Sequence, residues 1–118
     1  MKLSPKQHAW LDYLTVIIFA VAPMALGLAG AAAMLSYLLA GVHLLVTLLT
    51  AFPGGMWPVI PFRLHGFIEL AVGPTLLAAP WLLGFAGIAQ MFYSAMGVVI
   101  LLVWSLTGYS EAPETVTP

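Results

Sequence analysis

Five residues in this chain could do chemistry: His8 with Asp12, His65 with Glu69, and His43. In each of the first two pairs a carboxylate follows an imidazole by four residues, a spacing that puts both on one helix face, one turn apart. Groups so placed can form a hydrogen-bonded ion pair, pass a proton, or offer nitrogen and oxygen ligands to a transition metal. The segments around them are otherwise apolar, and an ionisable group on an apolar helix is costly unless it faces other helices or a polar cavity.

The two pairs are copies. Shifting the sequence by 57 residues lays His8 to Phe52 on His65 to Tyr109 without a gap, with 15 identities in 45 pairs. His43 breaks the pattern, because its counterpart is Ile100. With Thr47 and Thr50 it makes a polar stripe at i, i+4 and i+7, which reads Ile100, Trp104 and Thr107 in the second copy.

The elements that must position these groups follow from composition. With 63% hydrophobic residues, 6% charged and a mean hydropathy of +1.09, the chain cannot keep its apolar side chains out of water by folding on itself, so an integral membrane protein is expected. The lack of cysteine excludes disulfides and thiolate metal sites. A net charge of -1 gives no footing for nucleic acid.

Four apolar stretches, at 8–28, 31–51, 62–85 and 89–109, each have about the 20 residues that cross a bilayer core about 30 Å thick. The breaks inside each copy, around Gly30 and Gly87, fit only tight turns, so each copy is expected to be a helical hairpin. Pro23 and Pro80 precede those turns and should kink or end their helices. One transmembrane domain spans 1–118: repeat one at about 8–52, an interfacial linker at 53–61 rich in proline and glycine, repeat two at about 62–109, and a short acidic tail at 110–118 that should be poorly ordered at its end. The first thirty residues imitate a secretory signal, but the equivalent stretch of repeat two is internal, which argues against cleavage.

The basic residues Lys2, Lys6 and Arg63 fall on one side once four crossings are drawn, which puts both termini in the cytoplasm by the positive-inside rule. Two helices per copy then make the repeats parallel, with His8, Asp12, His65 and Glu69 at one depth and His43 roughly 12 Å into the bilayer at 1.5 Å per residue. The aromatic residues Trp10, Tyr13, Trp57, Trp104 and Tyr109 on that side, and Tyr37, Trp81 and Tyr93 on the other, are expected at the interfaces. Ala33, Ala40 and Gly41, with Gly66 and Gly73, mark expected close helix contacts.

The segment before the second turn reads Ala79-Pro80-Trp81-Leu82-Leu83-Gly84, and its counterpart reads Ala22-Pro23-Met24-Ala25-Leu26-Gly27. This resembles the SPW-repeat family of small prokaryotic membrane proteins, in which Ser-Pro-Trp marks the first of two transmembrane helices in each repeat. Here alanine stands for serine in both copies and methionine for tryptophan in the first. The resemblance implies the hairpin-repeat fold and a prokaryotic cell (inner) membrane, and assigns no reaction or ligand.

Three uses of the His and carboxylate residues are open. The favoured one is structural, with the pairs acting as clasps between hairpins in a subunit of a homo-oligomer or larger membrane complex. The second is a cofactor, metal or haem site between the copies built from His8, Asp12, His43, His65 and Glu69. The third is a quinone contact or a proton relay in a proton-coupled transporter. No Gly-rich phosphate loop, nucleophile elbow or transmembrane lysine for a Schiff base is present.

Overall fold

Ser4 starts the first helix earlier than hydropathy alone marks. Its side chain accepts from the Gln7 N–H (3.1 Å) while the Gln7 side chain accepts from the Ser4 N–H (2.9 Å), and Pro5 occupies a first-turn position whose N–H would be unused. In the computed structural model, which describes residues 2–109, four helices follow: α1 (Pro5–Leu26), α2 (Gly30–Leu48), α3 (Phe62–Leu83) and α4 (Gly87–Leu106). The tail expected to be poorly ordered lies outside the described residues.

Each turn closes on glycine. Gly27 and Gly84 end α1 and α3 at φ of 66° and 74°, a left-handed conformation open mainly to glycine, and their N–H groups return to the Pro23 and Pro80 carbonyls. Pro23 lies inside α1 rather than ending it. Lacking an N–H, it frees the Phe19 carbonyl, and the Ser36 hydroxyl donates to that oxygen at 2.6 Å. The bend-forming residue thereby ties α1 to α2.

Between α2 and α3 the chain folds back to cap the helix it has left. The N–H groups of Met56 and Trp57 donate to Leu48, and those of Val59 and Ile60 to Leu49. Carbonyls with no partner inside α2 are satisfied in this way. At the end of α4 the same job falls to the N-terminal segment, where Leu3 donates to Leu106 at 2.6 Å.

α1 packs along α2, and α3 along α4. Gly73 and Gly97 permit the second contact, since a Cβ on Gly73 would lie 2.6 Å from Leu101 Cγ and one on Gly97 2.9 Å from the Gly73 carbonyl oxygen. Gly41 differs from expectation: it is exposed, and no atom of the described residues lies within 4 Å of where its Cβ would be. The two hairpins meet through Phe19 against Phe92, edge to face at 5.6 Å, and through the Tyr93 hydroxyl donating to the Ala32 carbonyl at 2.6 Å. Tyr93 is therefore a buried crosslink and no interfacial anchor, whereas Trp10, Tyr37, Trp57 and Trp81 stay exposed.

All four helices are long and apolar enough to cross a membrane, and the long dimension of 43 Å matches a bilayer with its headgroup regions. Leu14, Ile17, Met34, Leu38, Phe67 and Val98 are among many large apolar side chains left facing outward, the arrangement lipid requires.

Candidate functional site

The ends of the helices opposite the glycine turns bring together four of the five candidate residues. His8 and Asp12 come from the first turns of α1, His65 and Glu69 from those of α3, and one ligand-capable atom of each lies within 4.8 Å of all the others. All four are buried, with at most 4% of any of them exposed. Each carboxylate reaches both imidazoles. Glu69 Oε1 sits 2.6 Å from Nε2 of its own His65 and 2.7 Å from Nε2 of His8, while Asp12 lies 3.0 Å from Nε2 of His65 and 3.3 Å from that of His8. Glutamate's extra methylene carries its oxygen to a point between the two imidazoles.

Two threonines fix which nitrogen faces the centre. Thr107 gives its hydroxyl hydrogen to the Val103 carbonyl, so at 2.8 Å from His8 Nδ1 its oxygen can only accept, and Nδ1 must carry the proton. Thr50 likewise donates to Val46 and accepts from His65 Nδ1 at 2.7 Å. Both Nε2 atoms therefore turn to the carboxylates. The contacts from Glu69 to the two Nε2 atoms have hydrogen-bond lengths, and each needs one proton beyond those on Nδ1. Hydrogen bonds at both contacts would place two protons where two carboxylates and two imidazoles converge, and one divalent cation would carry the same charge.

His43 reaches the cluster from α2. Its Nε2 is 3.4 Å from Asp12 Oδ1, longer than an ordinary hydrogen bond, and it is buried with no hydrogen-bond partner among the described residues. Asp12 Oδ2 is also buried with no hydrogen bond among them, although His65 Nε2 is 3.0 Å away. Tyr13, next to Asp12 on α1, donates to the Gly54 carbonyl at 2.6 Å.

Rings roof the site on its outer side. Phe62 meets the His8 ring edge on at 5.3 Å, Tyr109 at 5.6 Å, and Phe52 packs on His65 at 5.5 Å. The sequence assigned Tyr109 to an interfacial belt, but its ring lies in the cradle left by Gly66, where a Cβ would come within 2.8 Å of it. Its hydroxyl is buried with no hydrogen-bond partner among the described residues, and burial, reinforced by the Glu69 and Asp12 carboxylates, pushes its pKa well above the usual phenol value. Thr50, Thr107 and Tyr109 are the site residues that sequence spacing did not assign. The two threonines left a signal, being identical at equivalent positions in both copies.

Cavities touching the cluster are small. One of about 50 Å³ lies between α2 and α3 beside His43, His65 and Glu69, and another of about 10 Å³ touches Asp12, His43 and Glu69 on the opposite side. The smaller has room for about one water by this measure. With the His8 and His65 ring centroids only 5.2 Å apart in edge contact, no porphyrin fits between them. A single small cation does.

The class defined by these features is an all-helical protein with four membrane-length helices and a buried His/carboxylate centre at one end. No protein-family model, curated protein or solved structure matches the chain.

Proposed function

We propose that this is a small integral membrane protein that binds one divalent transition-metal ion between two parallel hairpin repeats. His8, Asp12, His65 and Glu69 are the ligands. The observation that carries this reading is the fixed direction of the imidazoles: with Nδ1 committed to threonine, two Nε2 atoms and two carboxylates face one point. Metal-bound histidines ordinarily donate their second N–H to a fixed acceptor in this way. Two nitrogens with two carboxylate oxygens suit zinc, iron(II), cobalt(II) or manganese(II), and facing helices of a four-helix bundle are a common scaffold for such ions.

The repeat arrangement is supported by contacts that recur at the sequence offset. Leu3 bridges Thr107 as Ile60 bridges Thr50, and His8 meets Thr107 as His65 meets Thr50. In each case a residue leading into one hairpin contacts the end of the other, as a two-fold axis along the bundle requires. Lys2, Lys6 and Arg63 support a cytoplasmic location for this end and for both termini. The Ala-Pro-Trp segment supports placing the chain with the SPW-repeat family.

Metal-free protein in mild detergent, titrated with Co²⁺ and Zn²⁺, should take up one ion per chain, and His8→Ala or His65→Ala should abolish it. Wild-type protein that takes up no stoichiometric ion overturns the reading. The clasp in a homo-oligomer or larger complex is then the better account, favoured by one observation: little of the described chain lies outside the helices, so a partner would have to recognise helix faces.

A further inference from the structure

We infer that His43 is a third imidazole ligand, so that the centre is a one-sided set of three nitrogens and two carboxylates rather than the symmetric four-residue set. This rests on the metal reading above and sharpens it. The repeat supplies His8, Asp12, His65 and Glu69 as matched pairs, but it does not supply His43, whose counterpart Ile100 is a buried hydrocarbon on the opposite wall.

Two buried polar atoms in this cluster have no hydrogen-bond partner among the described residues, His43 Nε2 and Asp12 Oδ2, and their residues meet at 3.4 Å through the other carboxylate oxygen, Oδ1. Buried polar atoms left unpaired are rare, and each calls for a cause. A proton shared between His43 and Asp12 across 3.4 Å would make only a long, weak hydrogen bond. A cation bound by both satisfies them at once, because a lone pair on Nε2 and one on a carboxylate oxygen are both ligand electrons. The difference between the carboxylates points the same way. Asp12 is one methylene shorter than Glu69, and His43 approaches it from α2 to 3.4 Å.

A third imidazole has a chemical consequence. Nitrogen ligands favour the later first-row ions, while oxygen ligands alone suit magnesium, calcium and manganese. His43 should therefore tilt the centre toward cobalt, iron(II) or zinc and away from manganese.

The test counts imidazoles in the unaltered protein. Electron spin-echo spectroscopy of the Cu²⁺-loaded wild type should register three coordinated imidazoles, falling to two in His43→Ile, which installs the residue of the other repeat. Co²⁺ affinity should fall roughly tenfold or more in that variant while Mn²⁺ affinity falls less, because only a nitrogen ligand has been lost. Two imidazoles in the wild type would overturn the inference even if His43→Ile failed to fold, as would unchanged Co²⁺ affinity in a folded variant. Wild type that binds neither ion would overturn the metal reading itself, a result distinct from either.

Discussion

Each hairpin brings a histidine, a carboxylate one turn deeper and a closing threonine to the same end of the bundle, yet the two flank the centre with different residues. The first hairpin supplies His43 and Phe52, and the second supplies Ile100 and Tyr109 at the equivalent places. Matched residues make the contacts that cross between hairpins, from His8 to Thr107 and from His65 to Thr50. Two of the atoms left without partners among the described residues, His43 Nε2 and the Tyr109 hydroxyl, belong to unmatched residues. Duplication can therefore build a self-complementary cage, and only divergence after it can make one side of the cage differ from the other.

Removing Glu69 should damage the cage most. Among the described residues its Oε1 is the only atom of the cluster in hydrogen-bond contact with both His8 and His65, so Glu69→Ala should cost about 3–5 kcal/mol, the range for breaking a buried ion pair, and should abolish metal uptake. Thermal unfolding in detergent with and without Zn²⁺ measures both. Asp12→Ala should cost less, since its imidazole contacts are longer than those of Glu69, 3.0 Å to His65 and 3.3 Å to His8. Equal losses would mean that the two carboxylates are interchangeable and that the asymmetry of the hairpins ends at His43.

Next in size are the threonines, where the comparison predicts equality. Thr50→Val and Thr107→Val each strip the acceptor from one Nδ1–H, and each should weaken metal binding about 10–100-fold, as loss of an outer-shell partner does. Affinities from Co²⁺ titration that differ strongly between the two would break the two-fold description. In both variants and in wild type, affinity should fall as pH falls. The ligands must shed protons to bind, and the two held at the Glu69 contacts are displaced by the ion, so binding below neutrality competes with protonation. Protein titrated at several pH values in weakly binding buffer should show up to two protons released per ion.

The chemistry was legible in the sequence and its geometry was not. Spacing and repetition singled out His8, Asp12, His65 and Glu69, because a four-residue step fixes neighbours on one helix. Which helix faces meet is a long-range property. The sequence placed Asp12 with His8, whereas its shortest imidazole contact is to His65 on α3. The same limit misplaced Tyr93 and Tyr109: on a helix apolar all round, periodicity does not separate the lipid face from the core. Helix positions, set by turn glycines and apolar length, came within a few residues, α1 starting earlier because of its cap.

A smaller effect separates the hairpins away from the centre. Ser36 and Tyr93 are counterparts in α2 and α4, but Ser36 donates to Phe19 within its own hairpin while Tyr93 donates to Ala32 across the interface. Ser36→Ala should leave the Phe19 carbonyl, freed by Pro23, without a partner, at about 1–3 kcal/mol for a buried polar group. Restoring a backbone donor with Pro23→Ala should shrink that penalty, because the new N–H could close the ordinary helical bond to Phe19. A double-mutant cycle on thermal stability therefore isolates the link between proline and serine. Additive effects would show that the Ser36 bond stabilises the first hairpin independently of the proline.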